Sequence, residues 1–184
     1  MIGRNIPSFF ALAFFATTAG AHARLGETEA QSTARYGAPR PEFIGPQEKP
    51  LLEGAKQQVF YFEGWRIRIA FLDDVAVRLE YIHIPDQAKP QKITEKEIET
   101  ILEAEKGKFS WREIKPRTGY KELNALKTAF EGRQWSRSDH GEAKLVGEVI
   151  LTVQSRDVDD YEKKLTKQTG KSGRTTPMPK APKF

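Results

Sequence analysis

Trp65-Arg66-Ile67-Arg68-Ile69-Ala70-Phe71-Leu72-Asp73-Asp74-Val75-Ala76-Val77-Arg78-Leu79-Glu80-Tyr81 is the stretch that decides the fold class. Trp65, Ile67, Ile69 and Phe71 alternate with Arg66, Arg68 and Ala70, and after Asp73-Asp74 the alternation resumes with Val75, Val77, Leu79 and Tyr81 against Ala76, Arg78 and Glu80. A period of two is the signature of half-buried strands. Two acidic residues between the runs form a turn. Upstream, Gln57 to Phe62 reads as another strand, joined through Glu63-Gly64, a two-residue hairpin turn. Connections this short require antiparallel neighbours. The prediction is a three-stranded meander with one apolar face and one mostly basic face.

Outward from the meander, two helices carry their own end signals. Thr28 followed by Gln31 is a capping box, in which the hydroxyl accepts from the N3 amide and the N3 side chain reaches back. Gly37 and Pro39 stop that helix, so it runs over about 29–36, with Ala30, Ala34 and Tyr36 expected to face inward. Thr94 and Glu97 form a second capping box, Ile93 and Ile98 a hydrophobic staple around it, and Ile98, Ile101 and Leu102 share a face before Gly107. Phe109 to Ile114 then reads as a strand and Tyr120 to Phe130 as a helix. Two strands follow, near Gln134–Arg137 and Ala143–Gln154, the second bent at Gly147. A last helix spans Asp157 to Lys167 with Asp157 as its cap. The fold class expected is α+β: antiparallel sheet covered by short capped helices, as one body or two similar lobes. Leu25–Gly37 and Thr94–Gly107 share one plan, which fits either a duplication or the generality of capping chemistry.

The organisation expected is residues 1–23 as a signal peptide, 24–84 as helix plus meander, 85–168 as a second lobe packed with the first, and 169–184 as a disordered basic tail. The signal reading rests on Arg4, an apolar run from Phe9 to Thr18 and the small-x-small site Ala21-His22-Ala23. The run is shorter than the roughly 20 residues that span a bilayer. Export to the periplasm or beyond follows as an expectation, with the mature chain beginning near Arg24 and holding no transmembrane segment.

The formal net charge of +5 comes from the tail. Lys163, Lys164, Lys167, Lys171, Arg174, Lys180 and Lys183 face no acid over 163–184, which leaves the body mildly acidic. That argues against a nucleic-acid partner, whose recognition places cations on the folded surface. The chain has no cysteine, which excludes thiol catalysis, cysteine zinc sites and a lipid-anchoring cysteine.

Gly26-x-Thr28, the short helix, Tyr36-Gly37-x-Pro39 and the meander together resemble the SmpA/OmlA-type module over residues 25–84. That family includes the small lipoprotein subunit of the outer-membrane β-barrel assembly machinery, and its module is similar to the repeated unit of β-lactamase-inhibitor-like proteins. Those lipoproteins carry an acylated cysteine at the mature N-terminus, which this chain lacks. The resemblance implies a small exported helix-on-sheet binding or scaffolding module and assigns no catalytic residue.

No motif identifies a catalytic, cofactor or metal site. Asp73-Asp74 is explained by turn chemistry. Asp157-Val158-Asp159-Asp160 lacks the glycine and glutamate of a calcium loop and suits a helix N-terminus. Gly170-Lys171-Ser172 lacks the glycine, strand and helix of a P-loop. His83 and His140 stand in no metal spacing. Two binding surfaces are expected. Arg66, Arg68 and Arg78 form a basic sheet face for an acidic partner. Lys171, Arg174, Lys180 and Lys183 in the tail are suited to anionic lipid or envelope polymer. The aromatic residues of the strands are expected in the core. The function expected is a non-catalytic binding or scaffolding protein of the bacterial envelope, with an enzyme inhibitor acting through its sheet face as the competing class and a small hydrolase as the third.

Overall fold

A computed structural model describes residues 24–41, 48–85, 89–115 and 132–172, with backbone alone for 169–172. Ala21, Ala23, Arg174, Lys180, Lys183 and the helix expected over Tyr120–Phe130 lie outside these residues.

The described chain runs α1 (Glu29–Tyr36), β1 (Lys56–Phe62), β2 (Trp65–Leu72), β3 (Val75–His83), α2 (Glu95–Glu105), β4 (Trp111–Glu113), β5 (Arg133–Arg137), β6 (Glu142–Val146), β7 (Ile150–Gln154) and α3 (Asp157–Ser172). The strands make one seven-stranded sheet in the order β1-β2-β3-β7-β6-β5-β4, and every pairing is antiparallel. The fold is therefore α+β. The first meander, β1-β2-β3, meets the second, β5-β6-β7, at the β3–β7 pairing, each preceded by a capped helix. No helix among the described residues is long and apolar enough to cross a membrane.

Both capping boxes form as expected: Gln31 N donates to Thr28 Oγ1 and Glu97 N to Thr94 Oγ1, each at 3.3 Å. Ile93 and Ile98 are buried on either side of the second cap. Glu63-Gly64 and Asp73-Asp74 both turn through positive φ, at 48° and 80° and at 50° and 64°. Such a turn twists in the same sense as the strands it joins. Asp74 also accepts from the Glu29 amide at 3.3 Å, seating the β2–β3 turn on the start of α1.

The core lies mainly between one sheet face and the two capped helices. Phe60, Ile67, Ile69, Leu79, Tyr81, Leu145, Leu151 and Val153 pack with Tyr36 of α1 and with Ile98, Ile101 and Leu102 of α2. Burying each of the α2 side chains contributes about 2 kcal/mol, which stabilises a helix too short to persist alone.

The structure corrects several details. The apolar alternation of β3 breaks at a bulge: Ala70 pairs with Arg78 but Phe71 with Ala76, so Val77 is the extra residue. Ala76 consequently joins the main core, while Val77 turns to the other face beside Leu52, Ala70 and Val158. That other face is covered by residues 51–55 and α3, so β2 is buried on both sides from Arg66 to Phe71. In α1 the inward residues are Ser32 and Tyr36, whereas Ala30 and Ala34 are exposed. The segment 143–154 is not one bent strand but two, reversed through Gly147 and Glu148 at φ 58° and 60°. α3 runs through Ser172, so residues 169–172, expected in the tail, are helical, and Asp157 is the first residue of that helix rather than its cap.

Candidate binding groove

The three arginines of the basic sheet face are brought together and used inside the body. Arg66 and Arg68 are 8% and 7% exposed. Arg66 pairs with Glu48. Arg68 Nη1 lies 3.0 Å from both Glu48 and Glu80, and its Nη2 donates to the Lys49 carbonyl at 2.7 Å. Arg78 donates to Gln154, to the Leu51 carbonyl and to Glu162 of α3 at 2.8–2.9 Å. These guanidinium groups pin residues 48–51 and α3 onto the sheet, where low dielectric makes such pairs costly to break. Lys171 lies in the last turn of α3.

The histidines are also engaged. His83 stacks on Trp65 with ring centroids 4.6 Å apart and lies 3.4 Å from Glu97, the acid already serving the second capping box. His140 occupies a tight turn at φ 72°. Its neighbour Asp139 holds Arg137 through two hydrogen bonds at 2.7 and 2.8 Å. Burial acts to raise the Asp139 pKa, but the Arg137 and Gly141 hydrogen bonds outweigh it and hold the carboxyl below its ordinary value.

An open groove forms at the opposite end of the sheet from β1, between α2 and the edge strand β4. Its volume is about 460 Å³. Register builds it: Trp111 pairs with Arg137 and Glu113 with Trp135, so all four side chains share the face that α2 covers. Leu102 and Trp135 form the floor, Phe109 and Trp111 the half-exposed aromatic wall, and Glu99, Glu103 and Lys106 of α2 the opposite wall. Lys106 is paired with Glu103.

The aromatic wall is held rigid from behind. The Arg137 guanidinium sits 5.2 Å from the Phe109 ring centroid and 5.4 Å from that of Trp111. Asp139 and the Glu105 carbonyl fix the same guanidinium, the latter at 2.7 Å. Arg133 stacks 4.9 Å from the Trp135 ring while gripping Glu95 at 2.6 and 2.9 Å and Glu113 at 2.8 Å. The Glu95 and Glu113 hydrogen bonds raise the Arg133 pKa, and the Arg133 hydrogen bond lowers that of Glu95. Such cation–π contacts contribute about 0.5–2 kcal/mol each and fix ring orientation.

Two features leave the groove chemically incomplete. The Trp111 indole N–H is shielded from water yet has no acceptor among the described residues. Such donors are rare because each costs about 1–3 kcal/mol. Second, β4 is the last strand of the sheet among the described residues. Ser138 N donates to the Ser110 carbonyl at 3.0 Å and Ile114 N to the Gln134 carbonyl at 2.8 Å, so residues 110, 112 and 114 direct their backbone groups toward β5. By the alternation of an antiparallel ladder, Trp111 and Glu113 direct theirs outward.

The strand expected over Phe109–Ile114 is shorter, Trp111–Glu113, and Phe109 lies just before it. Of the aromatic residues expected in the core, Phe60 and Phe71 are buried there and Phe62, Trp65 and Trp111 pack against it, while Phe109 lines the groove with Trp111. The discriminating signal is the shortness of the strand at the end of a sheet, and strand order is not written in local periodicity. Comparison with protein-family models, curated proteins and solved structures finds no match for this chain.

Proposed function

We propose that this chain is an exported, non-catalytic binding or scaffolding protein of the bacterial cell envelope, and that its folded body holds a cationic, partly apolar polypeptide segment of a partner protein in the α2–β4 groove. The observation that carries the reading is the pair Phe109 and Trp111, half-exposed side by side against a wall containing Glu99 and Glu103. Aromatic anchors in a rigid setting dominate binding energy at interfaces, and the carboxylates complement a basic segment. The outward edge of β4 offers backbone partners for an added strand.

The element order α1-β1-β2-β3 supports reading residues 25–84 as an SmpA/OmlA-like module. The cationic residues Lys171, Arg174, Lys180 and Lys183 supply a second contact, with anionic lipid or polymer, which salt weakens.

The test is cross-linked capture from envelope with three chains beginning at Arg24: the full chain, one ending at Ser172, and Trp111→Ala. The reading expects one partner with the first two chains and its loss with Trp111→Ala at an unchanged melting temperature. Capture that survives Trp111→Ala, or that vanishes only with the tail, removes the groove from the account.

A further inference from the structure

The chain entering α1 is a strap held on the sheet. Gly26 N donates to the Ala76 carbonyl and Ala76 N to the Glu27 carbonyl, both at 2.8 Å, and Thr28 bridges to Val75. The strap thus extends the sheet beside β3, just beyond the end of β7. Its next residue outward, Leu25, donates its backbone N–H to Glu105 Oε2 at 2.7 Å.

Glu105 is 2% exposed, and its other oxygen accepts from the Tyr81 hydroxyl at 2.6 Å. Two of the cations near it are committed elsewhere. Arg35 of α1 pairs with Glu27 of the strap at 3.2 Å. Arg137 of β5 gives its hydrogen bonds to Asp139 and to the backbone carbonyl of Glu105, and its charge reaches the Glu105 carboxylate only without a direct contact. Tyr36 of α1 and Tyr81 of β3 are the remaining titratable groups around it, and burial raises both well above the ordinary tyrosine range, so both stay neutral. Among the described residues, no lysine, arginine or histidine forms an ion pair with this carboxylate. A buried carboxylate without a counter-ion is costly.

We propose that Glu105 is the receptor for the α-ammonium group that cleavage between Ala23 and Arg24 would create, so that processing of the leader locks the strap onto the sheet. This rests on the reading of residues 1–23 as a signal peptide. In the cleavage, water adds across the Ala23–Arg24 peptide bond: hydroxyl goes to the Ala23 carboxyl, hydrogen to the Arg24 nitrogen, and that amine takes a further proton from solvent near neutral pH. Consecutive backbone nitrogens are at most about 3.7 Å apart, so the new charge arises within about 6.5 Å of Glu105 Oε2. The neighbouring acid Asp139 is already occupied by Arg137. An opposite charge at this range favours an ionised carboxylate by a factor of about ten or more.

The experiment compares two chains with the same body, one starting at Arg24 with a free amine and one with that amine acetylated, each as wild type and as Glu105→Gln, unfolded by urea at pH 6.5. The expected result is a folding constant about tenfold larger for the free amine in the wild-type body, collapsing toward no difference in Glu105→Gln. Equal constants for free and acetylated wild type, or a difference that persists in Glu105→Gln, would overturn the proposal. The intact mass of the protein isolated from envelope reports the processing site separately. A start other than Arg24 refutes the leader reading and with it the biological lock, while the urea comparison still decides whether Glu105 receives the ammonium.

Discussion

The Tyr81 hydroxyl donates to Glu105 Oε1 at 2.6 Å in the middle of the main core, and this bond joins the two halves of the chain. Tyr81 belongs to β3, the last strand of the first meander, and Glu105 is the final residue of α2, which opens the second half. Leu25 adds the strap to the same carboxylate. One polar node thus fixes the strap, the centre of the sheet and the second helix against each other.

That node sets a pH dependence. Burial raises the Glu105 pKa from 4.5 to about 7, against the opposing pull of the Tyr81 and Leu25 hydrogen bonds. A carboxyl whose folded pKa is raised binds more protons folded than unfolded between those values. Stability therefore falls as pH rises from about 4.5 to 7, by about 3 kcal/mol when no ammonium is nearby. Urea unfolding across that range should show the decline in a chain acetylated at Arg24, a shallower decline with the free amine, and a nearly flat profile for Glu105→Gln in this window. An equal slope in Glu105→Gln would assign the dependence to other groups.

Arg68→Ala leaves Glu80 without its guanidinium partner and frees the Lys49 carbonyl in a buried layer. The expected loss is about 3 kcal/mol, read as a lower urea midpoint. A loss below 1 kcal/mol would show that residues 48–51 are not held in this way.

Gly132 enters β5 at φ 76°, and a Cβ built there would stand 1.9 Å from the Leu145 carbonyl oxygen. The neighbour is backbone of the paired strand β6, so relief requires displacing the ladder. Gly132→Ala should cost about 3 kcal/mol or more, from the left-handed backbone and the clash together. A melting temperature equal to wild type would contradict this strand entry.

Thr94→Ala removes the acceptor for the Glu97 amide and one half of a complete capping box. About 1 kcal/mol should be lost. An unchanged unfolding midpoint would mean that the Ile93–Ile98 staple alone sets the start of α2.

How much of this was legible depended on the range of the cause. Both capped helices and the hairpin turns were readable because Thr94, Glu97, Glu63 and Gly64 act on atoms within a few residues. The bulge at Val77 was not, because it arises from pairing β2 with β3 and leaves no mark in the alternation of either strand. The engagement of Arg66, Arg68 and Arg78 was hidden for a related reason: Glu48, Lys49, Leu51 and Glu162, which receive them, come from a loop and a helix distant in sequence. The groove needed strand order as well. Trp111 looks like any strand aromatic until β4 proves to be the edge of the sheet. The pairing of Leu25 with Glu105 spans 80 positions and has no local signature.

The most direct measurement places a photo-reactive side chain at Glu103 on the groove wall and, in a second chain, at Glu63 in the β1–β2 turn, and exposes both to light in intact envelope. A single covalent partner is expected from position 103, mapped to a segment rich in lysine or arginine, with none from position 63. Equal capture at both positions, or capture at 63 alone, would contradict the assignment of the α2–β4 groove as the binding site.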